Sequence, residues 1–197
     1  MLKAAIRQQA LALRKNLSDE KWLSMNSAIQ KNLLDFLRAF PAGTKILSFQ
    51  AIVDKREIDL SATHEKLTKT PFEFQKGFPR ANPADRSLQT YLTNEATRFE
   101  RSSWGIWEPE PSSSQELQAK DWDVVLVPLL AVDQNGHRVG YGKGFYDRFL
   151  AETKSECVSL GISMSAPIDA ISDLHAHDIP LDLAISPEGI HRFNQKK

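Results

Sequence analysis

Between Asn135 and Arg148 the chain sets Gly140, Gly142 and Gly144 at alternate positions among Arg138, Lys143, aromatic rings and the carboxylate of Asp147. Residues of these types suit phosphate binding. A glycine has no Cβ, so main-chain N–H groups can approach phosphate oxygens, and positive φ angles come without strain. Lys143 supplies a point charge there. Arg138 has the planar fork that grips a phosphate through two parallel bonds, an option lysine lacks. The spacing is not a Walker A loop, which needs Gly-Lys followed by Ser or Thr. Nor is it the dinucleotide fingerprint, because Phe145 stands where a third glycine would fall. A solvated surface turn is the competing reading of the glycines alone, and the flanking charges and aromatic rings favour the ligand site.

Such a loop needs rigid elements on both sides. Upstream, Val124 to Val132 is an apolar run with a β-branched start, which predicts a strand buried on both faces of a parallel sheet, its ladder ending near Pro128. Downstream, Phe145, Phe149 and Leu150 recur at helical spacing, predicting a helix from Tyr146 to Glu152. The loop therefore leads from a strand end toward a helix start, where free amides favour an anion.

The first helix carries Leu2, Ile6, Ala10, Leu13 and Leu17 as an apolar stripe. Lys3, Arg7 and Arg14 recur on a neighbouring face, and pattern alone predicts that this basic face is solvated. Ser18-Asp19-Glu20 reads as the cap of a second helix bearing Trp22, Ile29, Leu33, Phe36, Leu37 and Phe40, stopped by Pro41 and Gly43. The helix pair is expected to cover one sheet face. Strands are predicted at 45–49, 72–78, 88–92, 157–163 and 183–186, a helix at 59–69, and a loop or flap at 108–114. Alternating strands and helices imply an α/β fold, a three-layer α/β/α sandwich with a mostly parallel sheet. Ligands are then expected beyond the carboxyl ends of the strands.

Composition narrows the function classes. With 197 residues, 41% of them hydrophobic, a single domain over 1–197 is expected. Lys and Arg number 25, as do Asp and Glu, so no overall field draws the chain to nucleic acid or an anionic membrane. The apolar runs are too short to span a bilayer and the N-terminus lacks a signal-peptide core, which predicts a cytoplasmic protein. Cys157 is the only cysteine, which excludes an internal disulfide and a cysteine-rich metal site. A monomer is the expectation.

Taken together, Val127-Pro128, Asp133, Gly136, Arg138, Gly140, Gly142-Lys143-Gly144 and Tyr146-Asp147-Arg148 resemble the signature of the 5-formyltetrahydrofolate cyclo-ligases, also called methenyltetrahydrofolate synthetases. Shorter pieces fall in the same order as in that family: Lys3 and Arg7, Glu57-Ile58-Asp59, Pro79-Arg80, Gly105-Ile106, Glu108-Pro109 and His177-Asp178-Ile179-Pro180-Leu181-Asp182. Departures are Leu60 for a threonine, Trp107 for a proline, Phe145 for a tyrosine, and a longer stretch between Phe49 and Glu57.

The resemblance implies a fold related to certain sugar-phosphate isomerases and CoA transferases, and cyclisation of 5-formyltetrahydrofolate to 5,10-methenyltetrahydrofolate with Mg-ATP. It implies that Lys3, Arg7, Arg138, Val139, Gly140, Tyr141, Gly142, Lys143, Gly144, Phe145 and Tyr146 bind ATP, with Arg138 and Lys143 stabilising the moving charge. Asp147 and Asp178 match magnesium ligands, Glu57 matches a folate-contacting acid, and Trp104 and Tyr146 are expected to flank the substrate's rings. Two other classes stand beside this one. A nucleotide- or phosphosugar-binding regulatory module needs the loop without a folate pocket. A phosphosugar isomerase needs a general base, for which His137, His175 and His177 are available.

Overall fold

The computed structural model describes residues 1–193. Helices α1 (Lys3–Asn16) and α2 (Asp19–Leu37) come first, then strand β1 (Lys45–Leu47) and helix α3 (Ser61–Leu67). Strands β2 (Gln75–Asn82), β3 (Ser87–Leu92), β4 (Phe99–Arg101), β5 (Trp107–Pro109) and β6 (Gln115–Leu117) follow. The apolar run gives β7 (Val124–Pro128) and β8 (Ala131–Val132), and β8 pairs with β9 (Arg138–Val139). Helix α4 (Phe145–Ala151) leads to β10 (Val158–Ile162), β11 (Leu183–Ser186) and β12 (Gly189–Arg192).

Eight strands form one sheet in the order β12-β11-β10-β7-β1-β2-β3-β6. The middle run from β11 to β2 is parallel, and β12, β3 and β6 join antiparallel at the edges. Alternation along β7 divides the core. Val124 and Leu126 point to the layer of α2 and α3, while Val125 and Val127 point to the layer of α4. The predicted strand buried on both faces is thus β7, and Pro128 is its last paired residue.

Helix α2 follows its sequence signals. The Ser18 side chain accepts the Lys21 N–H at 3.2 Å, and Ile29, Leu33 and Leu37 are fully buried on one face. Each aliphatic side chain of that size stabilises by roughly 1.5–3 kcal/mol when buried.

Helix α1 departs from expectation. It packs on the β8–β9 hairpin instead of joining α2 on the sheet, and Ile6 meets Ala131, Val139 and Ile171. Its inner face is the cationic one: Arg14 is 4% exposed, whereas Leu2 and Leu13 are 58% and 51% exposed. The reason is the partner. A hairpin and a loop rich in free carbonyls reward donors, and Arg14 reaches the Leu129 carbonyl. The predicted strand at 72–78 is also displaced, to Gln75–Asn82, because Phe72 and Phe74 pack beneath α3 from a turn in which the Phe74 N–H meets the Leu67 carbonyl at 2.7 Å.

A candidate active site at the carboxyl ends of the parallel strands

The carboxyl ends of β1, β7 and β10 are neighbours in the sheet, and the segments that follow them carry Glu57, the glycine loop and Asp178. These segments line one cavity of about 330 Å³. Residues from Lys3 and Arg7 of α1 close one side, and Trp104 to Glu108, around β5, close another. Every residue that the resemblance matched to ATP, magnesium or folate lies on this wall: Lys3, Arg7, Glu57 and Trp104, the whole stretch from Arg138 to Asp147, and Asp178.

The loop does not run straight from β7 into α4. It passes through the β8–β9 hairpin, and Gly142 and Gly144 take positive φ angles of 81° and 75° before the helix begins. Arg7 packs on this turn. Its Nε donates to the Gly140 carbonyl at 2.9 Å, and a Cβ at Gly142 would lie 3.2 Å from its Nη2. Lys143, beside it, is exposed and makes no hydrogen bond or ion pair among the described residues. Val139, Tyr141, Phe145 and Tyr146 supply the apolar lining, and Trp104 meets Phe145 edge-on with ring centroids 5.6 Å apart.

Two ion pairs neutralise part of the wall. Arg138 donates through Nη2 to Asp147 Oδ1 at 2.7 Å and through Nη1 to the Ile179 carbonyl, so the fork expected for a phosphate is engaged by the protein. Burial lowers its guanidinium from the ordinary range, against the pull of Asp147 and Asp178. Lys3 pairs with Asp178 Oδ2, which also accepts the His175 N–H at 2.6 Å. Burial would raise the Asp178 carboxyl, but these two donors outweigh it and hold it below the usual range.

Residues sufficient for a magnesium ion coordinated mainly by phosphate and water are present. No group of three or more His, Cys, Asp or Glu poised for a metal occurs among the described residues. Mg²⁺ bound with a nucleotide needs only one or two protein carboxylates. Asp147 takes its two hydrogen bonds on Oδ1, from Arg138 and from the Ile179 N–H at 3.2 Å, and Asp178 takes its two on Oδ2. Each therefore keeps one oxygen for a ligand.

Glu57 sits at the end of a longer network. Its Oε1 accepts the Tyr141 hydroxyl at 2.6 Å and its Oε2 the Ile52 N–H at 2.8 Å. Arg14 approaches the same hydroxyl at 3.4 Å. Burial, then the Glu57 carboxylate, raise the Tyr141 phenol, which keeps it a proton-bearing donor. Tyr146 is raised for the same two reasons. The segment bearing Glu57 is tied to α2: Trp22 Nε1 donates to the Arg56 carbonyl at 3.2 Å, and Asn26 accepts the Asp59 N–H at 2.7 Å.

Sequence reasoning missed three contributors. Arg14 is the third member of the basic stripe of α1, a face whose pattern alone predicts solvation. Lys55, whose ammonium lies 4.4 Å from the Tyr141 ring centroid, stands in a stretch with no periodicity to mark it. Glu108 was visible only as half of Glu108-Pro109. Of the three histidines available to an isomerase, none lines the cavity. His137 has a buried Nδ1 with no hydrogen bond, 3.6 Å from Asp133, and His175 and His177 are exposed.

The profile of the 5-formyltetrahydrofolate cyclo-ligase family matches residues 1–185. The chain is similar to the 5-formyltetrahydrofolate cyclo-ligase of Haemophilus influenzae, 41% identical over 54 residues, which are 27% of this chain and 29% of that protein. The matched part thus spans under a third of that relative's length. The cyclo-ligase of Mycoplasma pneumoniae is 26% identical over 189 residues, 95% of this chain and all of that one. Among solved structures, the 5,10-methenyltetrahydrofolate synthetase of Aquifex aeolicus superposes with a TM-score of 0.73 at 26% identity, covering 100% of this chain and 95% of that one.

Proposed function

This chain belongs to the 5-formyltetrahydrofolate cyclo-ligase family, and we propose that it uses ATP to close 5-formyltetrahydrofolate into 5,10-methenyltetrahydrofolate, releasing ADP and phosphate. The observation that carries this reading is the convergence on one cavity of a cation-flanked glycine turn and a wall of aromatic rings and carboxylates.

A formyl amide oxygen is a poor leaving group. Transfer of the γ-phosphoryl group of ATP to that oxygen, with ADP leaving, converts it to a phosphate ester. N10 then attacks the formyl carbon, the carbon–oxygen bond breaks, and inorganic phosphate departs. Such a reaction asks the protein for positioning and charge stabilisation and needs no protein nucleophile.

The residues divide accordingly. Amides of the turn from Val139 to Tyr146 cradle phosphates, and Arg7 and Lys143 are the cations free to meet them. Lys143 follows the transferring group, because none of the described residues holds its ammonium. Arg138 fixes Asp147 and adds a stationary charge, and Lys3 does the same for Asp178. Asp147 and Asp178 would hold Mg²⁺, which when bound neutralises phosphate charge. Glu57 receives N–H groups of the folate, with Trp104 and Tyr146 against its rings. An absorbance assay for methenyltetrahydrofolate, with and without ATP, tests the proposal. Product only when both ATP and 5-formyltetrahydrofolate are present is the expected result, and its absence refutes the reading.

A further inference from the structure

Four carboxylates line the cavity, and three of them are each held by two donors of the protein, the two aspartates through an ion pair: Glu57 by Tyr141 and Ile52, Asp147 by Arg138 and Ile179, Asp178 by Lys3 and His175. Glu108 is different. It is the central residue of β5 and 5% exposed, yet among the described residues the sole hydrogen bond to its carboxylate is the Ala81 N–H to Oε1 at 3.2 Å. Oε2 has no protein donor among the described residues. Arg80, whose charge acts on Glu108, donates to Glu100 and to the Pro109 carbonyl instead. Burial raises the Glu108 carboxyl, with the Ala81 N–H and Arg80 only partly opposing it.

Oε2 is not sealed from solvent, but a carboxylate stripped of most of its hydration favours any ligand that brings a donor in place of the remaining water. Here the oxygen belongs to a residue on the wall of a ligand cavity, so a ligand can supply the missing donor. Charge decides which part of which ligand. The phosphates of ATP and the glutamate carboxylates of a folate are anions and are repelled by an uncompensated acid. The aminopyrimidinone half of the pterin is neutral and carries two adjacent donors, the ring N3–H and the 2-amino group. Its flat faces also suit the walls beside Glu108, where Trp104, Ile106 and Trp107 follow one another.

We propose that Glu108 recognises the pterin of the substrate, Oε2 accepting N–H bonds from its amino-lactam edge. This inference rests on the folate reading and adds a specificity-determining residue to it. Glu57, with both oxygens already engaged, is left to the formyl and N10 side of the substrate.

Calorimetric titration of the wild type and Glu108→Gln with 5-formyltetrahydrofolate, with its 2-desamino analogue and with Mg-ATP tests the assignment. Glutamine keeps an acceptor for the Ala81 N–H, so the fold is retained. The variant should bind 5-formyltetrahydrofolate about tenfold or more weakly, as loss of a charge-assisted hydrogen bond predicts. Its loss on the 2-desamino analogue, which keeps only the N3–H donor, should be several-fold smaller, and its affinity for Mg-ATP should match the wild type within about twofold. Glu108→Leu, which removes both acceptors, should show the same selectivity between the two folates. Equal losses on both folates, or no loss on either, overturn the role of Glu108 while leaving the enzyme reading in place. A wild type that binds neither folate overturns both.

Discussion

Replacing Tyr141 by phenylalanine removes one oxygen that joins three parts of the molecule. The hydroxyl donates to Glu57 at 2.6 Å, on a residue 5% exposed, and stands 3.4 Å from Arg14 Nη1. The ring stays, so packing is nearly unchanged. A short hydrogen bond to a buried charge is worth about 1.5–3 kcal/mol, and a 3.4 Å contact adds little. Tyr141→Phe should therefore cost about 2 kcal/mol and lower the melting temperature by about 4–8 °C for a chain of this length. Glu57→Gln should give a loss of similar size and should weaken folate binding more than ATP binding. Because both substitutions act on the same bond, which Glu57→Gln strips of its charge and Tyr141→Phe removes, the double variant should lose less than the sum of the two, by about 1 kcal/mol. Urea unfolding of all four proteins measures this coupling. Additivity within about 0.5 kcal/mol would show that the Tyr141–Glu57 bond does not hold the acid in place.

Lys143→Ala should leave stability within about 0.5 kcal/mol of the wild type, because the side chain is exposed and unpaired. Turnover should nevertheless fall by about 10²–10³, the usual cost of deleting a preorganised charge from a transfer site; equal turnover refutes its role. His64, buried against Ser48 at 2.7 Å, is pushed down by burial, then by Lys76, from 6.5 to about 4. The folded state thus favours the neutral ring. This contribution is complete above about pH 6.5 and is lost as pH falls toward 4, amounting to about 3 kcal/mol at most. A His64→Gln variant should show a flatter loss of stability over that interval in pH-dependent denaturation, and parallel curves for both proteins would contradict the shift.

Elements whose neighbours resemble them were legible in the sequence. β7 announces itself because a sheet strand covered on both faces must be apolar throughout, and α2 because it lies on that sheet and is capped by Ser18. Helix α1 is illegible for the opposite reason. Its stripe of leucines suggests a sheet-facing surface, but the surface it meets is a two-residue hairpin and a glycine turn, whose carbonyls select Arg7 and Arg14. Strands as short as β8 and β9 leave no period to read. The edge strands β6 and β12 are likewise brief, and β4 and β5 form a separate ribbon. The glycine loop, Glu57 and Asp178 could be assigned through family resemblance. Their approach in space, though, depends on a strand order that brings β1, β7 and β10 side by side.

That strand order also explains why α1 belongs to the site. The turn carrying Gly142 and Gly144 hangs from a hairpin with only two residue pairs, too little to fix the positions of its amides by itself. Arg7 braces it through the Gly140 carbonyl, Arg14 reaches Tyr141 within it, and Lys3 ties the helix to Asp178 across the cavity. The start of the helix is itself anchored: the Met1 ammonium donates to the Ala170 carbonyl at 3.0 Å, and the Lys3 N–H to Asp173 at 2.7 Å. A basic face that would be solvated on an isolated helix becomes a brace for a glycine turn. Two cations of one helix, Arg7 and Arg14, hold the glycine turn from the side, and Lys3 anchors that helix to Asp178.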